Sequence, residues 1–275
     1  MPENLRKLTY QFTGSYKVEM KEISSSEPVA HIGFQTITQS RKSAWVRDQF
    51  DQVARRYDLM NTLLSFGIHH LWKKRAVSML GLKYGEKVLD VCGGTGDLAV
   101  AAVKCAGESG RVVLYDINRQ MMDAGRSSPF ARELRRQIIY IQGDAEQMSF
   151  PDCSFDAAIV GFGIRNLTRM EKGFAEMHRV LRPGGRMVCL EFSQPVLPVF
   201  SGMYDLYSFH IMPCLGRLFA GSAQAYTYLT ESIRLFPSPD CLKYMLEEIG
   251  FSQVEYLRLT GGVAVIHRGI RKAEP

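Results

Sequence analysis

Gly93, Gly94, Thr95 and Gly96 follow an apolar run at 88–91 and precede a helix opening at Asp97. A second apolar run ends in Asp116, twenty residues past Gly96. Glycines at a strand end let the backbone turn sharply and approach a ligand closely. A carboxylate accepts two hydrogen bonds from a ribose diol. In a right-handed βαβ unit the two strands are neighbours, so the turn and the carboxylate reach the same carboxyl edge. The spacing therefore predicts a site for an adenosine-containing cofactor. Gly94-x-Gly96-x-x-Ala99 also fits the dinucleotide fingerprint. On this stretch alone a dinucleotide stays open, as does a turn that merely tightens an α/β fold.

The elements further along must position that edge. A third strand, 138–141, ends in Gly143-Asp144-Ala145, and a fourth, 155–160, ends in Gly161-Phe162-Gly163. A helical pattern over 170–181 closes at Arg182-Pro183-Gly184-Gly185 and leads into a fifth strand, 186–192. The segments 251–259 and 263–266, separated by Gly261-Gly262, read as a terminal antiparallel hairpin. This order resembles class I S-adenosylmethionine-dependent methyltransferases. It implies an α/β, Rossmann-like, doubly wound fold with a mostly parallel seven-stranded sheet and a terminal antiparallel hairpin. The cofactor is then S-adenosylmethionine, with Gly93, Thr95 and Asp116 on one side and Asp144 and Ala145 beside the adenine. Asp144 has a plainer reading as a strand-end turn residue.

More specific motifs narrow the resemblance. Phe50-Asp51-x-Val53-Ala54-x-x-Tyr57-Asp58-x-Met60-Asn61, Ser65-Phe66-Gly67-Ile68-His69, Gly93-Gly94-Thr95-Gly96-Asp97-Leu98, Phe162-Gly163-Ile164-Arg165-Asn166 and Leu190-Glu191-Phe192-Ser193 resemble the UbiE/MenG family. These are the C-methyltransferases of ubiquinone and menaquinone biosynthesis. The likeness covers roughly residues 31–270. Gly161 stands where the family often has serine, which removes a hydroxyl contact to the cofactor. The resemblance implies C-methylation of a polyprenyl benzoquinol, a demethylmenaquinol or both. A methyltransferase for another lipid-like acceptor is one rival. A weakly active cofactor-binding scaffold in a quinone-synthesis complex is the other.

Composition agrees with an enzyme of this kind. The chain has 275 residues, 46% of them hydrophobic, which suits one domain with a substantial core. Residues 31–275 read as that single domain and 1–30 as a flexible leader. No run of 18 apolar residues exists, so no transmembrane helix is expected. Six cysteines lie scattered without metal spacing, and no metal is expected. Their scatter suits a reducing, cytoplasmic setting. The net charge of +6 comes partly from Arg41-Lys42, Arg55-Arg56, Lys73-Lys74-Arg75 and Arg135-Arg136. Each cluster also reads as a solvated helix face. Together they suggest peripheral contact with an anionic membrane, at the inner face. No nucleic-acid-binding module is visible. A homo-oligomer or a quinone-synthesis complex stays open as the protein partner.

Two regions lie outside the cofactor fold and should hold the substrate. Over 45–80, apolar residues at helical spacing predict an amphipathic helix that lids the cofactor, with Tyr57 near the sulfonium. The lid is taken as 40–80. The insert 194–237 is too rich in aromatic and aliphatic residues for a solvent loop and offers Tyr207 to the substrate. The resemblance implies that a quinol oxygen loses its proton as the ring carbon attacks. That requires a proton path and a cation beside the oxygen. Arg165 and Asn166 follow the fourth strand, and Arg165 stays protonated, so it would stabilise the phenolate or orient a water. His210 is the imidazole nominated for proton transfer. His69, His70 and Asp97 are secondary candidates.

Overall fold

The protein's computed structural model describes residues 27–128, 132–134, 136–196 and 198–273. Most of the leader therefore lies outside the described residues. Its last residues are not loose: strands β1 (Val29–Ile32) and β2 (Gln35–Thr38) pair antiparallel around Gly33. The lid follows as three helices, α1 (Gln39–Val53), α2 (Tyr57–Leu64) and α3 (Ile68–Leu80). A single helix over 45–80 was expected, and two features break it. A 3-10 turn occupies Ala54–Arg56. Phe66 and Gly67 then take positive φ values of 51° and 75°, which stop one helix and start the next.

The cofactor fold begins at β3 (Lys87–Val91), whose Val88, Leu89 and Val91 are fully buried. Such a run suits a parallel strand covered on both faces. There follow α4 (Asp97–Ala106), β4 (Arg111–Asp116), α5 (Arg119–Arg126), β5 (Ile138–Gln142), β6 (Phe155–Gly161), α6 (Met170–Val180) and β7 (Leu181–Phe192). The expected fifth strand started at 186. It begins five residues earlier because Leu181 already pairs with Phe155 before the Pro-Gly-Gly stretch bulges out. The insert carries α7 (Pro198–Leu206), α8 (Met212–Leu215) and α9 (Ala223–Leu235), with π-helical turns at Tyr207–Ile211 and Gly216–Ala220. The chain closes with α10 (Pro239–Ile249), β8 (Phe251–Leu259) and β9 (Ala264–Arg271).

The seven-stranded sheet has the order β5-β4-β3-β6-β7-β9-β8. Strands β3 to β7 are parallel, and β9 runs antiparallel between β7 and β8. One core packs α3 and α4 on one face through Trp72, Leu80 and Val103. The other packs α6 and α10 through Phe174, Met177 and Leu242. The strand order reverses between β3 and β6, and in open α/β sheets a ligand crevice forms outside the carboxyl ends there. The glycine turn after β3 lies at that point, pressed against α5. A Cβ added at Gly125 would meet the Thr95 carbonyl oxygen at 2.0 Å.

That contact yields a stability test. Gly125→Ala should lower stability by about 1–3 kcal/mol, the cost of overpacking against a backbone that cannot yield. Gly202→Ala in α7 meets no atom within 4 Å and should be neutral or slightly stabilising. Thermal denaturation of the two variants beside the native protein measures the contrast.

Candidate active site

The end of β4 organises the site. Asp116 Oδ2 accepts the Gly94 N–H at 2.8 Å, and Oδ1 accepts the Asn118 N–H at 2.7 Å. Asn118 caps α5 through Met121 and donates its side-chain amide to Arg47 O and Asp51 Oδ1 on α1. At the other end of α1, the buried Lys42 donates to Leu167 O at 2.9 Å. Helix α1 is thus fastened at both ends across a cavity of about 330 Å³. Gly94, Asp116, Asp144, Ala145 and Asn166 line it.

The chemistry of this cavity separates the two cofactors left open. A pyrophosphate needs free backbone N–H groups at the glycine turn. Here the Gly93 N–H donates to Tyr115 O, the Gly96 N–H to Gly93 O, and the Gly94 N–H to Asp116. The turn also stands over an acid. Asp90 is fully buried, and its carboxyl oxygens have no hydrogen-bond partner among the described residues. Burial pushes its pKa up to about 8. Burial likewise lifts Asp116 to about 6, against the two amides it accepts. Asp116 and Asp144 bring carboxylates to this cavity, and carboxylates repel a diphosphate and complement the ammonium and sulfonium of S-adenosylmethionine. The residues present fit that cofactor, with Asp116 free to accept the ribose hydroxyls on its remaining lone pairs.

A second cavity, of about 470 Å³, lies between the lid and the insert. Phe50, Tyr57 and Phe162 line both cavities and form the partition between them. Lid and insert are joined across it. Tyr207 Oη donates to Leu64 O at 2.8 Å, Arg56 donates to Phe219 O at 2.8 Å, and Trp45 packs edge-on against Tyr228. Val53, Met60, Leu64, Met212 and Tyr226 fill the seam. The charged group lining this otherwise apolar chamber is Arg165, paired with Glu191 at 2.9 Å; their side chains are 5% and 1% exposed. Arg165 also donates to Phe162 O, while its Nε is buried without a partner among the described residues. Burial works against the guanidinium charge, but Glu191 and the facing Tyr57 and Tyr228 outweigh it and raise the Arg165 pKa.

The sequence candidates sort accordingly. Asp116, Asp144, Ala145 and Asn166 meet at the first cavity, Arg165 and Tyr207 at the second, and Tyr57 between them. The Asn166 side chain accepts from Tyr228 Oη at 3.0 Å. Gly93 and Thr95 line neither cavity. A Cβ at Gly93 would meet Leu114 and Asp90, so it is a packing glycine, and the Thr95 hydroxyl donates to Asp58 on α2. His210 sits exposed in a π-turn of the insert and lines neither cavity, because its helix turns that position outward. His69, buried, lines the second cavity instead. Sequence reading gave no role to Asp90, Asn118 or Glu191. Asp90 and Glu191 carried a signal, since each is an acid inside an apolar strand run.

Binding should follow the ionisation of Asp116. Its pKa is raised to about 6, so affinity for S-adenosylmethionine should rise as pH climbs through 6 and then level off. Asp116→Asn should weaken binding by about 1.5–3 kcal/mol, the range for a hydrogen bond to a charged group, and flatten that rise. Calorimetric titrations between pH 5 and 8 test both.

Similarity to known proteins agrees with this site. Residues 37–271 match the ubiE/COQ5 methyltransferase family. The chain is 45% identical over 249 residues to the ubiquinone/menaquinone biosynthesis C-methyltransferase UbiE of Escherichia fergusonii, spanning 90% of this chain and 99% of that protein. Against the protein of the same name from Photorhabdus laumondii it is 44% identical over the same spans. A solved methyltransferase of Thermotoga maritima, described as a possible histamine N-methyltransferase, aligns with TM-score 0.57 at 19% identity, covering 82% of this chain and 100% of that one. An Aquifex aeolicus methyltransferase aligns with TM-score 0.53 at 16% identity, over 78% and 97%. At such identities these two speak for the fold, which is that of class I S-adenosylmethionine-dependent methyltransferases. With a family match across most of its length and relatives this similar nearly end to end, the chain belongs to the ubiE/COQ5 methyltransferase family.

Proposed function

We propose that this protein methylates a ring carbon of a polyprenyl benzoquinol, a demethylmenaquinol or both, using S-adenosylmethionine, in ubiquinone or menaquinone biosynthesis. One observation carries the reading: a cofactor chamber rich in carboxylates adjoins a larger apolar chamber across Phe50, Tyr57 and Phe162, and the apolar chamber holds one buried cation, Arg165. An apolar wall suits an isoprenoid chain. A fixed cation suits the oxygen of an electron-rich ring. The relatives named above carry the same activity in their names.

The cofactor supplies an electrophilic methyl group when bound. The chain supplies position, dryness and charge. Helix α1 covers the cofactor chamber, and the seam between lid and insert keeps water from the partition. Glu191 holds the Arg165 guanidinium in place on the chamber wall, where its charge would favour negative charge developing on a quinol oxygen. Tyr57 and Phe162 present flat apolar faces at the aperture through which the methyl group must pass.

The second chamber also opens onto an apolar rim. Phe66 and Met203 line it and are 80% and 65% exposed. Leu206 and Leu218 of the insert are exposed at 62% and 70%, and Arg56 and Arg217 are exposed as well. No described helix is long and apolar enough to cross a membrane. We read the rim as the face that meets the cytoplasmic leaflet peripherally and admits the isoprenoid tail. Its arginines add attraction to anionic headgroups.

Incubating the protein with S-adenosylmethionine and a reduced prenylated quinol tests the activity, read as a gain of one methyl group by mass. Recovery of unmethylated quinol from both ring classes would sink the proposal. Arg165→Lys keeps a cation for Glu191 but removes Nε–H. It should lose on the order of tenfold to a thousandfold in turnover, the scale of losing an aligned donor, with cofactor affinity nearly unchanged. Arg165→Leu should be less stable by about 3–5 kcal/mol, because Glu191 is left buried and unpaired. Cosedimentation with anionic vesicles should exceed that with neutral ones and fall as salt rises. Equal binding to both at every salt concentration would remove the electrostatic part.

A further inference from the structure

His69 is 2% exposed, lines the substrate chamber, and has an Nε2 buried without a partner among the described residues. Its tautomer follows from its neighbours. Ser65 Oγ donates its one hydrogen to Asn61 O at 2.6 Å. That oxygen lies 2.8 Å from His69 Nδ1, and with its hydrogen on Asn61 O it accepts from an Nδ1–H. Nε2 is then a bare lone pair. Its place is fixed as well. One imidazole nitrogen of His69 lies within 4.8 Å of an Asp97 oxygen, and Asp97 opens α4 directly after the glycine turn. His69 therefore lies both on the second cavity and near the start of α4.

We propose that His69 Nε2 accepts the ring proton released when the substrate carbon is methylated. This rests on the proposed function. Methylation of a quinol returns a quinol, so any hydroxyl proton removed must be given back. The proton lost overall is the hydrogen on the reacting carbon. The ring carbon forms its bond to the methyl group as the methyl's bond to sulfur breaks. That carbon then carries both CH3 and H, and the ring has lost its aromaticity. The C–H bond breaks, its electron pair restores the ring, and the proton goes to Nε2, leaving an imidazolium and a methylated quinol.

The surroundings suit that task. Burial first, then the charges of Lys73 and His70 against a smaller pull from Asp97, lower the His69 pKa to about 4. The base is therefore unprotonated at neutral pH. A weak base is adequate, because a C–H whose loss restores aromaticity is far more acidic than a phenol. Asp58, on α2, bonds Thr95 and faces the same Lys73, His70 and Asp97. Lys73 Nζ lies 2.7 Å from Asp97 Oδ2, so an ammonium already neutralises that carboxylate, and a metal ion would have to displace it. His70 is exposed, its ring centroid 3.9 Å from that of His69, and marks the route of the proton to solvent.

The test uses the full chain and a quinol deuterated at the reacting carbon. His69→Gln should turn over about a hundredfold to a thousandfold more slowly, within the range for a lost general base. It should also acquire a primary isotope effect absent from the native protein, because proton loss becomes limiting. Cofactor affinity by calorimetry should stay within about twofold, since His69 does not line the cofactor chamber. Free imidazole should partly restore His69→Ala. Turnover of His69→Gln within about threefold of native, or a loss without an isotope effect, overturns the proposal. If the variants do not fold, nitrogen-15 histidine spectra of the native protein decide. A neutral ring protonated at Nδ1 with a bare Nε2 supports the assignment, and an Nε2–H tautomer or an imidazolium at pH 7 refutes it. Absence of methylation by the native protein would strike the proposed function first and this inference with it, whereas failure confined to the His69 variants leaves that function standing.

Discussion

The Asp116 carboxylate ties together parts of the chain that no other single group connects. It accepts the Gly94 amide, which fixes the turn after β3, and the Asn118 amide, which fixes the start of α5. Asn118 then reaches α1 through Arg47 and Asp51. Removing the carboxylate would free the turn and loosen the lid together. The arrangement has a cost, since a carboxylate this enclosed is raised to about 6 by burial. It is tolerated because two backbone donors compensate part of the lost hydration.

The same arrangement explains which parts were legible in the sequence. Strands β3, β4 and β6 announce themselves as short apolar runs ending in glycine or acid, because a strand buried on both faces must be apolar along its length. Their ends, with that of β5, place Asp116, Asp144, Ala145 and Asn166 at one edge without further information. The lid was harder. Its apolar spacing is helical throughout, and only Gly67 hints at a stop. The turn at Ala54–Arg56 contains no breaker at all and is imposed by packing against the insert and α5.

The insert shows where periodicity runs out. Its aromatic density predicted a substrate wall, but π-helical turns shift the phase of every side chain behind them. Tyr207 reaches Leu64 and the chamber, while His210 three positions on points away from it. No count at 3.6 residues per turn separates the two. The Thr95 hydroxyl is turned away for another reason: a hydroxyl at a glycine turn has several geometrically close acceptors, and here Asp58 takes it. Glu191 and Asp90 were legible in principle, because a charge within an apolar strand run needs either a partner or a ligand.

Buried polar atoms without partners among the described residues gather around the two chambers, among them both Asp90 carboxyl oxygens, Gln49 Oε1, Arg165 Nε and His69 Nε2. Each alone costs stability, because a buried donor or acceptor left unmade forfeits its hydration. Their placement gives that cost a logic. Asp90 lies under the cofactor turn, and Arg165 and His69 line the acceptor chamber. In the proposed reaction, the donor and the bare lone pair would match, in order, the negative charge that gathers on the quinol oxygen and the proton that departs from the ring carbon. Charges set in advance need not reorganise as the reaction proceeds, which is why preorganisation lowers a barrier that added binding alone cannot. The partition at Phe50, Tyr57 and Phe162 then keeps the Asp116 carboxylate of the first cavity apart from the Arg165 guanidinium of the second, so that neither neutralises the other.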